Sequence, residues 1–204
     1  MENISVKPRP LAAKRKTVST RTQLDRNNWV ETAIDVLAKE GVTGLRVEVL
    51  AKRCGVTKGS FYWHFKDRQD LLEAVLERWK EGRIRDIEKT TTVAPGQELE
   101  QLHYAIEVYG ASRNRKGMSI ELAVRDWARH DSLAAAVVES VDVYRLECTR
   151  KLFVSAGLSD TEAKSRSLLL YACVFGLSLM HYAPFDANPG ELKQRIADRI
   201  VSGQ

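Results

Sequence analysis

The chain of 204 residues is 44% hydrophobic and 29% charged, a composition typical of a globular protein that can bury a core. Its longest apolar run, 168–180, falls short of the ~20 residues that span a bilayer, so we expect no membrane span. The polar, basic N-terminus lacks the apolar stretch of a secretory leader, so we expect no leader. The net charge of +5 is uneven: residues 1–68 carry 14 Lys and Arg against 7 Asp and Glu, which predicts contact with a polyanion or, alternatively, a merely soluble basic surface.

The reactive residues of the chain show no catalytic or metal-binding spacing. Cys54, Cys148 and Cys173 are far apart and form no C-x-x-C pair, so we expect buried free thiols in a reducing cytoplasm. No phosphate-binding glycine loop, G-x-S-x-G motif or metal-spaced histidine pair occurs in the sequence. We therefore expect no catalytic residue, no metal and no cofactor.

In chain order, a basic segment precedes a series of helices. Residues 1–24 contain two prolines and no periodicity, which predicts a mobile arm that either contacts DNA or is inert. From Asp25 onward apolar residues recur at helical spacing, and the first helix is expected to end at Gly41. A second short helix ends at Gly55, and a third is predicted from the N-cap Thr57 to about His64.

The fourth helix is expected to be long, from Asp67 to about Lys89, with Asp70 at the capping-box position. Residues 90–97 resemble a linker, with Pro95 placed in the first turn of a fifth helix. Residues 113–117 are predicted to form a turn before the sixth helix.

Three further helices have clear boundary signals. The seventh covers about 132–156 and is followed by Gly157, a glycine C-cap. Ser159-x-x-Glu162 is a capping box for the eighth, which must stop before Pro184. Asn188 followed by proline begins a ninth helix. Because no strand alternation competes, the predicted fold class is all-α with about nine helices.

The second and third helices have the spacing of a helix-turn-helix. Ala51 is small enough for the two helices to approach, Gly55 suits a left-handed turn, and Phe61 can anchor the second helix of the pair. Phe61 and Phe65 share one face of the third helix, whereas Lys58, Ser60 and His64 lie on others. An apolar underside with an exposed polar face suits insertion into a major groove of DNA.

Residues 25–75, which include "AIDVLAKEGVTGLRVEVLAKRCGVTKGSFYWHFKDRQDLLEAVL", resemble the DNA-binding domain of the tetracycline repressor (TetR) family. The resemblance implies a DNA-binding domain over 25–68 and a ligand-binding and dimerisation domain over 69–204. It implies a homodimer that binds a palindromic operator in double-stranded DNA and a small-molecule effector of unknown identity. The predicted function is therefore a ligand-responsive repressor.

The resemblance and the helix faces together predict the DNA-binding residues: Arg46, Thr57, Lys58, Gly59, Ser60, Tyr62, Trp63, His64, Lys66 and Arg68. Alternatives remain, since Tyr62 and Trp63 suit packing within the domain and His64 suits a place near the fourth helix. Arg46, Val47 and Glu48 depart from the residues common in the family, which makes base contacts from the start of the second helix doubtful and leaves Arg46 for a phosphate.

The body of the chain carries a candidate dimer interface. The eighth helix is apolar almost all round between 168 and 180, which predicts that it is buried on every side. Either its own domain and a partner subunit cover it together, or it is the central helix of a monomer. The resemblance places the interface on the eighth and ninth helices. The predicted residues are Leu168, Ala172, Gly176, Leu179, Met180, Leu192, Ile196 and Ile200.

Family pockets lie among the fifth to eighth helices, where several aromatic and apolar residues occur. The predicted ligand-binding residues are Tyr104, Met118, Leu122, Arg125, Trp127, Tyr144, Tyr171 and Phe175. Each is also compatible with plain core packing, and Arg125 suits either a ligand carboxylate or an acidic neighbour. The competing functions are an activator of the same fold, a non-specific architectural DNA-binding protein and, least favoured, an enzyme.

Overall fold

The computed structural model describes residues 24–110, 115–182 and 184–202, and these residues contain α-helices and no strand. The predicted arm, 1–24, lies outside the described residues except for Leu24. The helices are α1 Arg26–Glu40, α2 Val47–Cys54, α3 Lys58–Phe61, α4 Arg68–Thr91, α5 Glu98–Gly110, α6 Arg115–Ala128, α7 Ser132–Ser155, α8 Asp160–Leu179 and α9 Pro189–Val201. The all-α prediction is confirmed, as is the number of helices within the described part of the chain.

Most predicted helix boundaries are confirmed by hydrogen bonds. The Asp25 carboxylate accepts from the Asn28 backbone N–H at the start of α1, and Gly41 ends that helix at φ 68°. The Ser159 hydroxyl accepts from Glu162 N, and the Asn188 side chain accepts from Glu191 N. These bonds satisfy N–H groups that have no partner inside a helix.

The third helix is shorter than predicted. It ends at Phe61, and residues 62–64 form a turn instead of continuing to His64. The Phe61 carbonyl accepts from the backbone N–H of both His64 (3.0 Å) and Phe65 (3.1 Å). This turn brings Phe65 beside Phe61, and burial of both rings outweighs one more helical turn.

Two further boundary predictions were wrong. Pro95 lies in a turn with Gly96 (φ 90°) and not in the first turn of α5, which begins at Glu98. Of the predicted turn 113–117, residues 113–114 lie outside the described residues, and the rest belongs to α6. The Asp67 side chain caps α4 as expected, but Asp70 accepts from Lys66 N (3.0 Å), so the reciprocal bond of a capping box is replaced by one to the preceding loop.

The core forms two clusters that share α7. The first joins the buried faces of α1 to α4 with Val124 and Trp127 of α6 and Val141 of α7. The second joins α5, α7, α8 and α9 around Phe153 and Tyr171. The first core thus joins the N-terminal helices to α6 and α7 in one closely packed cluster. The domain boundary at 68/69 remains a prediction.

Candidate DNA-binding surface and effector cavity

The turn between α2 and α3 has the backbone of a left-handed helix end. Gly55 adopts φ 68° and ψ 28°, its N–H donates to the Lys52 carbonyl, and the N–H of Val56 donates to the Ala51 carbonyl at 3.0 Å. A side chain at Gly55 would meet no neighbouring atom, so this position requires glycine because of its positive φ and not because of space. The turn sets the angle at which α3 leaves α2.

An aromatic cluster holds α3 against the first helix. Phe61 is fully buried, with its ring edge-on to Trp29 at 5.4 Å between centroids and stacked on Phe65 at 5.1 Å. The Arg26 guanidinium lies 4.5 Å from the Phe65 ring centroid, and its Nη2 donates to Asp70 Oδ1 at 2.6 Å. Sequence reasoning missed Arg26, which joins α1 to the loop before α4.

The opposite side of α3 and its following turn is exposed. Trp63 is 87% exposed, so its ring is not packed within the domain. Tyr62 is 55% exposed, although one side of its ring packs edge-on against Phe61 at 5.3 Å between centroids. Thr57, Lys58 and Gly59 are exposed at the start of the helix, although the Thr57 side chain makes no capping bond. Ser60 and His64 are half-buried beside them. The surface therefore combines aromatic, hydroxyl, amine and imidazole groups on a buried aromatic base.

Glu48, in the first turn of α2, lies within reach of α3. Its Oε1 accepts from Lys58 Nζ at 2.5 Å, and this hydrogen bond lowers the pKa of Glu48 and raises the pKa of Lys58 from their ordinary values. Both side chains are more than half exposed. The predicted phosphate contact Lys58 thus has a carboxylate partner, a pairing that the ten-residue separation did not reveal.

The three remaining predicted cations differ in their surroundings. Arg46 is exposed at the N-cap position of α2, without a side-chain cap bond, and Lys66 is exposed before α4. Arg68 is held by the protein: its Nε donates to the Leu45 carbonyl at 2.6 Å and its Nη2 to the Val42 carbonyl at 3.2 Å. Arg68 therefore fixes the start of α4 to the connection before α2, and its contact with the DNA backbone stays a prediction.

A narrow, partly enclosed cavity lies among α4, α6, α7 and α8. Three of the predicted ligand-binding residues, Met118, Tyr171 and Phe175, line it. The lining residues that sequence reasoning missed are Arg83, Gly117, Glu121, Arg145 and Val174. The burial of Arg145 could have been predicted from the sequence, because it follows Val141 by four residues on the buried face of α7.

The other predicted ligand-binding residues lie elsewhere. Tyr104 is 51% exposed, Leu122 is half-buried, and Trp127 is buried in the first core. The Tyr144 hydroxyl hydrogen-bonds Glu88 at 3.0 Å, a contact between α7 and α4 that raises the pKa of Tyr144 to about 12. None of these four belongs to the lining of the cavity.

Arg125 lies just outside the cavity and is held by acidic neighbours. Its guanidinium donates to Glu121 Oε1 at 2.8 Å and to both oxygens of Asp142. Burial acts to lower the pKa of Arg125, but the carboxylates of Asp142 and Glu121 outweigh it and raise that pKa. Of the two alternatives for Arg125, the acidic neighbour is the one observed.

The surface of α8 is apolar on two sides, but only one is covered. Leu170, Tyr171 and Val174 are buried in the second core, whereas Leu168 (61%) and Met180 (66%) are exposed. A Cβ built at Gly176 meets no atom within 4 Å. The exposed stripe is formed by Leu168, Leu169, Ala172, Gly176, Leu179 and Met180.

On α9, Leu192 and Ile196 are half-buried, but Ile200 is only 3% exposed, so its predicted place in a dimer interface is wrong: the subunit's own core already covers it.

Comparisons with known proteins identify the helix-turn-helix. Residues 30–75 match the family model of bacterial regulatory proteins of the tetR family. The AcrR transcriptional regulator of Shigella flexneri is 27% identical over 202 residues, covering 92% of this chain and 90% of its own length. Residues 30–75 are therefore a DNA-binding domain of the tetR family. Its α2 and α3 are accordingly the DNA-binding helix-turn-helix of that family.

Other relatives are similar to different parts of the chain. The class A tetracycline repressor of Escherichia coli is 41% identical over 56 residues, which are 28% of this chain and 26% of that protein. A regulator from a Rhodococcus species has the same fold at TM-score 0.71 and 20% identity, covering 88% of this chain and 95% of its own. A regulator from Saccharomonospora viridis in complex with choline gives TM-score 0.69 at 18% identity, over 86% and 94% of the two chains.

The described residues offer neither a metal centre nor a membrane span. No group of three or more potential ligands that could hold a metal ion occurs among them. None of the helices in this part of the chain combines the length and the hydropathy needed to cross a membrane.

Proposed function

We propose that this regulator is a cytoplasmic repressor that binds a palindromic operator as a homodimer and is released from it by a small molecule. The observation that carries the DNA contact is the exposed Tyr62–Trp63 pair beside Lys58, held on the buried base of Phe61 and Phe65. Large exposed aromatic rings on a rigid turn are costly unless a partner covers them. Base edges and phosphates of a major groove suit this combination of rings and polar groups.

The proposed homodimer rests on the exposed stripe of α8. Leucine and methionine side chains on this stripe remain uncovered in the isolated subunit, and Gly176 leaves open space beside the helix axis. A second copy related by a two-fold axis would cover the stripe with its own α8. Such a dimer presents two copies of α3 to DNA, and successive major grooves on one side of a duplex are ~34–36 Å apart.

The proposed release of DNA on ligand binding rests on α4, which connects the DNA-binding helices to the cavity. Arg68 binds the α1–α2 connection at one end, and Arg83 lines the cavity 15 residues later, a distance of about 22 Å along a helix. A neighbour of this fold has been solved with choline and another, EbrR, with malachite green, which supports a small-molecule effector here. A ligand changes DNA affinity only if it binds the two conformations differently.

The test is a titration of operator DNA by the full chain, followed by fluorescence anisotropy, with and without saturating effector. We expect tight binding to a two-fold symmetric site and release by the effector. Unchanged operator affinity at saturation would contradict ligand release. Equal affinity for the operator and for unrelated DNA would favour the architectural alternative.

A second function, activation, shares every feature of this site. The sign of regulation depends on where the operator lies relative to the promoter, so a reporter carrying the selected operator upstream or across the promoter distinguishes the two.

A further inference from the structure

The cavity among α4, α6, α7 and α8 contains an unusual arrangement of buried charge. Glu121 is 2% exposed and Arg145 is 3% exposed. Three guanidinium groups surround the one Glu121 carboxylate: Arg125 at 2.8 Å, Arg145 at 3.2 Å and Arg83 at 3.9 Å. Charges are costly to bury unless their partners satisfy them fully.

The carboxylates that balance the other positive charges lie away from the cavity lining. Asp142 pairs with Arg125 at 2.5 Å and with Arg145 at 3.5 Å, and Asp86 pairs with Arg83 at 2.7 Å. The ionised lining residues themselves are Arg83, Arg145 and Glu121. The lining itself carries two positive charges against one negative charge, and with Arg125, Asp86 and Asp142 behind it the cluster has three charges of each sign.

The hydrogen-bonding groups at the cavity are incompletely satisfied among the described residues. The buried Nε atoms of Arg83 and Arg145 donate to no acceptor, and Glu121 Oε2 accepts no hydrogen bond. Glu121 Oε2 nevertheless has a charge partner, because Arg83 Nη1 lies 3.9 Å away. The unmet demand is thus mainly for an acceptor, preferably an anionic one.

Aromatic side chains complete the cavity and orient the guanidinium group of Arg145. This group lies 5.3 Å from the Tyr171 ring centroid and 5.5 Å from that of Phe175, and Met118 and Val174 add further apolar wall. Contacts of this kind fix the direction of the guanidinium before any ligand binds. A ligand would meet a positive end and an apolar end.

We propose that this cavity binds a small organic acid: its carboxylate accepts from Arg83 and Arg145, and its apolar body lies against Tyr171, Phe175 and Met118. The inference rests on the proposed ligand-responsive function and names the chemical class of the effector. A cationic ligand would have only Glu121, which three guanidinium groups already surround. A carboxylate instead supplies acceptors for the two buried Nε–H groups, which donate to no acceptor among the described residues.

The test compares three probes of similar shape at pH 7.5: 2-naphthoate, uncharged 2-naphthamide and cationic (2-naphthylmethyl)trimethylammonium, with benzoate and octanoate as further acids. Binding to the full chain is measured by calorimetry and thermal unfolding. We expect at least one acid to raise Tm by about 3–6 °C at ten times its Kd, and the amide and the cation to bind at least tenfold more weakly. No shift with any acid, or stronger binding of the cation, would overturn the proposal.

Three substitutions, one of them a control, locate the bound carboxylate. Arg83→Gln should weaken acid binding about 10- to 100-fold, as expected for a lost charge-assisted hydrogen bond. Arg85→Gln removes the same charge from an exposed site two residues along α4 and should leave binding unchanged. Glu121→Gln keeps the side-chain shape, and should tighten acid binding because the repelling carboxylate is gone; a cation site would respond in the opposite direction. Equal affinities in all three variants would overturn the placement.

The outcomes separate this inference from the proposed function. An acid that binds through Arg83 but leaves the DNA complex intact supports the cavity assignment and contradicts ligand release. Release of DNA by the cation, with no acid binding, supports ligand release and overturns the acid assignment. If a variant does not unfold cooperatively, the comparison of charged and uncharged probes on the unaltered chain still shows whether the cavity prefers an acid.

Discussion

Glu48→Gln should strengthen DNA binding and make it more sensitive to salt. The carboxylate of Glu48 lies 2.5 Å from Lys58 Nζ on the exposed side of the helix-turn-helix. The substitution keeps the shape of the side chain but removes the charge that holds Lys58. We expect Lys58 to become available to a phosphate, and a negative charge that repels the DNA backbone to disappear.

The magnitude follows from counterion release. One additional phosphate contact makes the slope of log K against log salt about 0.9 more negative on B-DNA. Between 50 and 200 mM salt, a fourfold change, affinity should therefore fall about 3.5-fold more for Glu48→Gln than for the unaltered chain. Fluorescence anisotropy of a labelled operator at five salt concentrations measures both the affinity and the slope.

Two further variants control this experiment. Glu162→Gln changes net charge equally but acts on α8, where Glu162 pairs with Arg166, so its slope should match that of the unaltered chain. Adding Lys58→Gln to Glu48→Gln should reverse the steeper slope. The reasoning is refuted if Glu48→Gln weakens binding without changing the slope, because Glu48 would then itself contact a base.

Three other substitutions test the anchor, the reading face and the dimer. Tyr62→Ala should lower operator affinity at least tenfold in anisotropy titrations while leaving the sedimentation coefficient unchanged; full affinity would remove this ring from the DNA contact. Phe61→Ala deletes a fully buried ring and should lower the free energy of unfolding by about 3–5 kcal/mol in urea titrations, whereas a loss below about 1 kcal/mol would contradict its role as the anchor. Leu168→Glu should dissociate the dimer in analytical ultracentrifugation, and Leu133→Glu, at an exposed leucine at the start of α7, should not; an intact Leu168→Glu dimer would move the interface elsewhere.

Local signals account for what could be predicted from the sequence. Helix boundaries at Asp25, Gly41, Gly55, Ser159 and Asn188 depend on hydrogen bonds to residues at most four or five positions away. Such bonds are specified by neighbouring side chains, so the helices of the described chain could be located closely. The shared burial of Phe61 and Phe65 was also predicted from helical spacing, although a turn over 62–64 and not a longer helix brings the two rings together.

Contacts between distant residues explain what could not be predicted. Arg68 donates to carbonyls of Leu45 and Val42, more than twenty positions earlier, and a backbone carbonyl leaves no signal in a sequence. The charged lining of the cavity brings Arg83, Glu121 and Arg145 together from three helices. An aromatic pattern therefore indicated Tyr171 and Phe175, while the ionised residues that give the cavity its chemistry became visible only in the fold.

Selection of bound sequences from a random DNA pool tests the central claim most directly. The full chain is incubated with the pool at about 150 mM salt, bound DNA is recovered and sequenced, and the selected site is retested with Tyr62→Ala. A dimer that presents two copies of α3 predicts an inverted repeat whose half-site centres lie about 10 base pairs, or a multiple of one helical turn, apart. Recovery of sequences without a shared motif, or of a single unrepeated half-site, would contradict a dimeric reader of a palindromic operator.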